Sequence, residues 1–544
     1  MLRIGIDVGG TFTDAVVINH QEIVAFAKRR TTHHNLLEGL LAALDAVLVS
    51  VDREAVSLIS LSTTVITNQV VEHKLSNTDL YIVPGPGASV AGVFPVPPII
   101  LKGAVDHQGR ERAPFLLHKR NKKGTAAAVS VKFGTRNPAV EAKLTKDVKD
   151  LGYDVVSSGI TLGGILNFPR RTVSAYYNSA VQAGFTKFIE EVTAACKERM
   201  LHCPIYMLKA DGGALPMEAI RKTPVESIFT GPAASVRGME RLSVMPKGKV
   251  VAVDIGGTTA DISLWKEGAP CMARGGVSID GYPSSVRSFQ VTSVGIGGDS
   301  WVRYSESGEI LVGPERKGPA MALGGEVPTL GDALIVLKQA SYGDVERSLV
   351  GIQSLLHEGE TIESIAEAIV AKAVDVIRGG IRRAIEEENR LPIYVVEDIM
   401  HPDSFTMEGL VLVGGTAAAM ESALEKAFSV PTNVPLRAEV ANAIGAAAAP
   451  ESISLTFHLD TRKRSLLVPE LGYEEKITMR SYTELEERGK EILLERVANL
   501  GVKEEGILEV YTKEIFPVIE GWGQVHQVMD LVLEWKGGGI YVQG

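Results

Sequence analysis

The chain has 544 residues, of which 45% are apolar and 22% charged, and a formal net charge of −10. That length exceeds what one hydrophobic core holds and implies about two to four domains of ordinary soluble composition. The acidic balance, without a basic block, excludes nucleic acid and anionic membrane as partners, and no apolar run reaches the roughly 20 residues of a membrane helix. The three cysteines, Cys196, Cys203 and Cys271, have neither metal nor redox spacing. With a strand beginning directly after Met1, they point to a reducing, cytoplasmic compartment.

In chain order, Ile4-Gly-Ile-Asp-Val-Gly-Gly-Thr-Phe-Thr-Asp14 reads as a strand, a glycine turn and a second strand running to Asn19. The apolar and β-branched residues suit strands, and Gly9-Gly10 lets backbone N–H groups approach an anion. Asp7 and Asp14 repel phosphate unless a divalent cation stands between them. A third strand covers Glu22 to Lys28, and a helix runs from Leu36 to Ser50. A strand over Leu58–Ser62 leads to Ser62-Thr63-Thr64, hydroxyls placed where a helix begins, which serve either as caps or as a substrate- or phosphate-facing loop. Pro84 to Pro98 is a loop, Ala126–Phe133 a strand, Pro138–Leu151 a helix, and Arg171–Met200 a long helix joining two halves. Ile205–Leu208 is a strand ending in Lys209-Ala-Asp211-Gly212-Gly213, and Thr230-Gly231-Pro232 has the composition of a helix N-terminus, a natural anion site.

The opening stretch then returns. Val253-Asp254-Ile-Gly256-Gly257-Thr258-Thr259-Ala-Asp261 aligns without a gap to the first copy at an offset of 247, since 254 − 7 = 247. Asp, Gly, Gly, Thr and Asp recur at 7/254, 9/256, 10/257, 11/258 and 14/261. A third glycine turn, Gly297-Gly298-Asp299-Ser300, and a fourth, Val413-Gly414-Gly415-Thr416, each follow a strand. Helices cover Leu330–Gln339, Val345–His357 and Thr361–Asn389, and Glu439 to Ala446 begins a small-residue helix that must pack closely. Beyond about Ser452 charge density rises, with strands over Leu455–Val468 and Lys476–Met479, a charged helix over Glu484–Asn499 and a strand-like tail over residues 534–542.

Two equivalent hairpins, one per half, imply a nucleotide clamped in a cleft between similar domains. In that clamp Asp7 and Asp254 hold Mg²⁺ through water, because Mg²⁺ dehydrates reluctantly. Thr11, Thr13, Thr258 and Thr259 donate to phosphate oxygens, the Gly414-Gly415 turn admits the adenosine, and Gly298-Asp299 lies on the same wall.

These motifs resemble the actin/hexokinase/Hsp70 superfamily of ATP-binding folds. More closely, Gly5–Asp14, Thr63–Asn68, Asp211–Gly213, Thr230–Ala234 and Asp254–Asp261 resemble the hydantoinase/oxoprolinase family, A-subunit type, over roughly residues 1–450. The resemblance implies an α/β fold: duplicated actin-like (ribonuclease H-like) domains with a nucleotide cleft between them. The expected division is 1–200 for the first half, 201–454 for the second and 455–544 for a small C-terminal α+β domain. It implies an ATP- and Mg²⁺-dependent hydrolase that opens a cyclic amide such as a hydantoin or 5-oxoproline by phosphorylating the amide oxygen. The catalytic residues would be Asp7, Asp254, Asp14 and Asp261, with Asp299 a further candidate for the base. Nucleotide would be held by Gly9, Gly10, Thr11, Phe12, Thr13, Gly256, Gly257, Thr258, Thr259, Gly298, Asp299, Gly414, Gly415 and Thr416, and Mg²⁺ by Asp7 and Asp254. The expected partner is a B-type hydantoinase subunit or a second copy. An ATPase switch of the enzyme-reactivating kind, which the adenosine turn also resembles, and a small-molecule kinase stay open as alternatives.

Overall fold

The structure is a computed structural model and describes residues 2–20, 22–32, 35–117, 122–242, 245–391, 403–479, 481–502, 505–520 and 524–537. The end of the strand-like tail, residues 538–542, lies outside the described residues.

The first half is built on β1 (Leu2–Val8), β2 (Phe12–Asn19), β3 (Glu22–Arg30), β4 (Val56–Thr63) and β5 (Ile205–Leu208). β1 is antiparallel to β2, β2 is antiparallel to β3, and β1, β4 and β5 run parallel, in the order β3-β2-β1-β4-β5. The second half repeats this with β6 (Lys249–Ile255), β7 (Ala260–Lys266), β8 (Val291–Val294), β9 (Gly409–Val413) and β10 (Thr432–Asn433), ordered β8-β7-β6-β9-β10. The sequence repeat is therefore a repeat of topology. Register makes it closer still: Asp7 stands opposite Asp14 across one hairpin, and Asp254 opposite Asp261 across the other.

The central strands are buried over all but their ends. Ile4, Ile6 and Val8 are fully inaccessible, as are Ala15 to Ile18, which is what a sheet covered on both faces requires. Helix α1 (Leu36–Leu48) lies against β2 and β3, and the long helix α2 (Phe168–Glu198) leads back into β5. On the opposite face, α3 (Thr230–Leu242) and α4 (Ala441–Ala448) cross over β1. Their approach is set by glycine: a Cβ on Gly445 would stand 1.9 Å from Ala234 O, one on Gly238 2.1 Å from Ala441 O, and one on Gly5 2.1 Å from Ala443 O. The close packing expected of the 439–446 stretch is thus backbone against backbone.

A four-stranded parallel sheet (Thr78–Val83, Ile99–Ile100, Ala126–Val131, Val155–Ser158) forms a lobe inserted between β4 and β5. The C-terminal region has the expected α+β make-up and sits edge to edge on the first sheet. Ala214–Pro216 runs antiparallel to β5 and meets Glu451–Asp460 at Ala214 and Glu451. The long hairpin Gly506–Glu520/Gln524–Gly537 pairs on beyond, completing an 11-stranded sheet, and helix Tyr482–Asn499 packs on Glu451–Asp460 and Gln524–Gly537. The first sheet therefore runs past residue 200 through β5 and takes in the residues after 450. Among the described residues no helix is long and apolar enough to cross a membrane.

Candidate functional site

The two hairpin tips face each other. Each turn is closed by the equivalent backbone bond, Gly9 N–H to Phe12 O (3.1 Å) and Gly256 N–H to Thr259 O (3.0 Å). The third glycine turn braces the second tip: Gly298 N–H donates to Gly256 O (3.0 Å) and Asp299 N–H to Gly257 O (2.7 Å). The fourth lies beneath it, with Thr416 N–H donating to Ile255 O (3.0 Å) and Thr416 Oγ1 to Gly256 O (3.2 Å). Gly414 is required there twice over. Its φ is +97°, and a Cβ would stand 2.3 Å from Asp254 Oδ1. The tips are close enough that a Cβ on Gly257 would lie 2.6 Å from Thr11 Oγ1.

Between them is a cavity of about 450 Å³. Asp7, Gly9, Gly10, Thr11, Phe12 and Asp14 line it from the first half, and Asp254, Gly256, Gly257, Thr258, Thr259 and Asp261 from the second. Gly298, Asp299, Gly414, Gly415 and Thr416 complete that wall. Of the expected residues, Thr13 alone faces elsewhere. It is fully buried behind the hairpin, its hydroxyl 3.0 Å from Thr31 Oγ1. The pleat is the reason: Phe12 and Asp14 point to one face of the strand, so Thr13 points to the other.

The sequence reading missed Lys28, Tyr342 and Asn442, which also line the cavity. Lys28 donates to Asp14 Oδ2 (2.7 Å) and Glu439 O (3.0 Å) and lies 5.0 Å from the Phe12 ring centroid. Its signal was available, because Lys28 is the register partner of Asp14 across β2 and β3. The hydroxyl loops converge here as well. Thr230 Oγ1 accepts from Thr63 N–H (2.9 Å), which brings Thr64, Gly231 and Pro232, and with them the N-terminus of α3, to the cavity wall. A helix N-terminus presents unpaired N–H groups and a positive dipole end, both suited to phosphate.

The carboxylates crowd. Burial pushes Asp7 up to about 7, with Asp14 and Asp254 repelling it and a 2.6 Å hydrogen bond from Ser62 opposing the rise. Burial and the Asp254 charge push Asp261 up to about 6. Asp254 is raised by burial against hydrogen bonding from Ser235 and Asn442, and Asp14 by burial against Lys28. Asp14 Oδ1 and Thr11 Oγ1 are shielded from solvent without a hydrogen-bond partner. Asp299 is ion-paired to Arg316 at 3.0 Å, which sets it apart from the other four. Four mutually repelling carboxylates beside one ammonium suit a hydrated divalent cation. Among the described residues no group of three or more histidine, cysteine, aspartate or glutamate side chains forms a direct metal cage.

A family model described as hydantoinase/oxoprolinase matches residues 171–453, about half of the chain, and one described as hydantoinase/oxoprolinase N-terminal region matches residues 3–92. The chain belongs to the hydantoinase/oxoprolinase family. Among curated relatives it is 25% identical to the caprolactamase subunit alpha of Pseudomonas jessenii over 72% of this chain and 64% of that one. It is 26% identical to the acetophenone carboxylase gamma subunit of Aromatoleum aromaticum over 87% of this chain and 70% of that one. This hydantoinase/oxoprolinase chain thus spans about two thirds of the length of these relatives. Its fold matches solved structures of ATP-dependent caprolactamase from P. jessenii and of nucleotide-free acetone carboxylase. The first has a TM-score of 0.73 and 20% identity over 99% of this chain and 88% of that one; the second has a TM-score of 0.71 and 17% identity over 98% and 88%.

Proposed function

We propose that this hydantoinase/oxoprolinase chain is the ATP-using subunit of an enzyme that opens a cyclic amide. The observation that carries the reading is the pairing of two register-matched hairpins, each with an Asp–Asp cross-strand pair, around one cavity. The family membership and the relative named as a caprolactamase subunit give the reaction class.

In this reading the backbone N–H groups of Gly9-Gly10 and Gly256-Gly257 and the hydroxyls of Thr11, Thr258 and Thr259 hold the phosphates. Gly414-Gly415-Thr416 admits the adenosine, and Lys28 offsets negative charge at Asp14. Mg²⁺, held through water at Asp7 and Asp254, would supply charge neutralisation at the phosphates. The amide oxygen takes the γ-phosphoryl group and ADP leaves. Amide resonance is then lost, water adds to the former carbonyl carbon, the ring C–N bond breaks as the nitrogen takes up a proton and leaves, and a second water hydrolyses the resulting acyl phosphate to the carboxylate and inorganic phosphate. A base is needed to take a proton from the water or the ring nitrogen, and Asp261, at about 6, is matched to that task near neutral pH, with Asp14 the other candidate. A second subunit of B type or a second copy supplies what the chain lacks, in keeping with relatives named as subunits. The free thiols Cys196, Cys203 and Cys271 fit a cytoplasmic setting.

The test is ATP turnover by the purified chain, alone and with the product of a neighbouring B-type gene, against hydantoins, 5-oxoproline and unsubstituted lactams. One or more of them should stimulate phosphate release and be opened in equal amount. ATP turnover that no cyclic amide stimulates under either condition would leave a phosphate-releasing switch, and phosphorylated product without ring opening would leave a kinase.

A further inference from the structure

The space around the hairpin tips does not end with the nucleotide cavity. A second cavity of about 360 Å³ adjoins it, and Thr11, Phe12, Asp299 and Leu323 line both. What the second one adds is two guanidinium groups, Arg30 from the first half and Arg316 from the second. The pleat explains the first of them. Lys28 lines the nucleotide cavity, and Arg30, two residues on, points to the same face of β3 about 7 Å nearer the tip, opposite Phe12 in the register.

Both side chains bring their charged ends to this space. Arg30 is exposed, and its Nη2 donates to Leu323 O (2.6 Å), which is itself on the cavity wall. The Arg316 side chain is 24% exposed; its Nη2 pairs with Asp299 at 3.0 Å and its Nε donates to Gly318 O (3.3 Å), and both partners also line the cavity. Among the described residues no carboxylate pairs with Arg30, and its Nε and Nη1 have no protein partner. A guanidinium carries five N–H donors in a planar fork, so each arginine has donors to spare.

The charges indicate what fills the space. Two guanidinium groups meet one carboxylate, Asp299, which leaves one positive charge in surplus among the lining residues. Burial raises Asp299, and the charges of Arg316 and Arg30 both oppose that rise, as they must if both stand beside it. Surplus positive charge on planar forks open to solvent suits a small oxyanion, whose two oxygens take two parallel N–H bonds. The Arg30–Leu323 bond already spans from one half to the other, so an anion held by both arginines would bridge the same gap.

We propose that this cavity is an anion subsite beside the nucleotide phosphates, in which Arg30 of the first half and Arg316 of the second hold a carboxylate or phosphate group between them. The anion has two sources, a carboxylate on the molecule that accepts the phosphoryl group or the inorganic phosphate that turnover releases. In the first case the substrate is a carboxylated lactam, its carboxylate in the subsite and its amide oxygen turned to the nucleotide cleft. Only that identification of the acceptor rests on the function proposed above; the subsite itself does not.

The experiment is a binding titration on the full chain with the nucleotide cleft saturated by Mg²⁺ and a non-hydrolysable ATP analogue. The probes are inorganic phosphate, 5-oxoproline and its uncharged parent 2-pyrrolidinone. At least one of the two anions should bind saturably, and 2-pyrrolidinone at least ~10-fold more weakly than that anion, because it has no charge for the guanidinium groups. Arg30→Gln should weaken the anion by ~10-fold or more, whereas Arg30→Lys, which keeps the charge and loses the fork, should cost about 3-fold. Arg316→Gln should give a second loss from the other half, and thermal melts report folding of all three variants. Tighter binding of 5-oxoproline assigns the subsite to the acceptor's carboxylate, and tighter binding of phosphate assigns it to the released product. Absence of saturable anion binding up to about 50 mM would overturn the subsite. So would an unchanged affinity in Arg30→Gln, or anion binding that only the empty cleft supports, which would make the two arginines part of the γ-phosphate seat. Anion binding without amide-stimulated ATP turnover would keep the subsite and remove the hydrolase reading, and stimulated turnover without anion binding would do the reverse.

Discussion

Asp7→Asn should make the nucleotide-free protein more stable while destroying its use of ATP. Asp7 is 5% exposed and carries a carboxyl raised from 3.8 to about 7, by burial first and then by Asp14 and Asp254. Between those two pH values the folded chain keeps a proton that the unfolded chain has released, so stability falls as pH rises through this window, and the whole cost is present above pH 7. At 1.36 kcal/mol per pH unit the interval amounts to about 4 kcal/mol at pH 8 and about 1 kcal/mol at pH 4.5. Asparagine keeps the acceptor that Ser62 bonds at 2.6 Å and removes the charge. Thermal melts without nucleotide should therefore place Asp7→Asn above wild type by several degrees at pH 8, since a kcal/mol is worth ~2 °C in a chain of this size, and nearly level with it at pH 4.5. The same variant should hydrolyse Mg-ATP at background rate. An Asp7→Asn protein that melts below wild type at pH 8, or by the same margin at both pH values, would refute the account of crowded carboxylates.

The other hairpin residues separate in the same way. Thr258→Val should weaken ATP about tenfold in a fluorescent-nucleotide titration, whereas Thr13→Val, which loses only the 3.0 Å contact with Thr31, should stay within ~3-fold and lose about 1 kcal/mol of stability; the reverse ranking would mean that Thr13 is the phosphate donor. Gly414→Ala drives a Cβ to 2.3 Å from Asp254 Oδ1 at a φ of +97°, and should lower ATP turnover by ~10²-fold or more with a modest loss in melting temperature. Gly445→Ala forces a Cβ to 1.9 Å from Ala234 O, where both neighbours are backbone, and should cost about 3 kcal/mol or more; a melt within ~2 °C of wild type would contradict it. Thr11→Cys with Gly257→Cys sets two Cβ atoms about 3.1 Å apart, near disulfide range, so oxidation should trap a pre-bound nucleotide and reduction should release it; equal release in both states would show that the tips do not gate the cleft.

The nucleotide cleft was legible because its demands are local. A glycine turn needs glycine, a cation site needs carboxylates, and both recur at one offset, so spacing alone paired Asp7 with Asp254. Thr13 was misread because hydroxyl content was weighed without the pleat. The repeat carried the correction: the residue 247 after Thr13 is Ala260, which has no hydroxyl, whereas Thr11 and Thr258 match. Lys28 was missed because its partner is set by strand register, and Asn442 because its stretch, 439–445, stood out for close packing and for a resemblance to enzyme-reactivating ATPases, with no ligand contact assigned to it. The edge-to-edge seating of the C-terminal region was beyond any local pattern, since the join is one residue pair, Ala214 and Glu451, far apart in sequence. The adjoining cavity left no local trace either, because Arg30 and Arg316 stand far apart in sequence and meet only where the halves do.

The glycines of this chain do two kinds of work, and their positions explain how the halves are coupled. Gly9, Gly10, Gly256 and Gly257 make the tips narrow enough to meet. Gly5, Gly238 and Gly445 let α3 and α4 lie on each other and on β1 with no side chain between them. The chain leaves the first half just after α3, at Leu242, and returns to it just after α4, at Glu451. The two crossings therefore emerge from a backbone-to-backbone contact that cannot slide without a clash. The opposite ends of the same helices, at Gly231-Pro232 and Ala441-Asn442, line the nucleotide cavity. Gly238 meets Ala441 and Gly445 meets Ala234, so the helices run antiparallel, each with its N-terminal end at the cleft and its C-terminal end at a crossing, and this rigid pair ties the charge that fills the cleft to the angle between the halves. Alanine at position 445 would loosen that tie by wedging the helices apart, and this effect is distinct from any on the hairpins themselves.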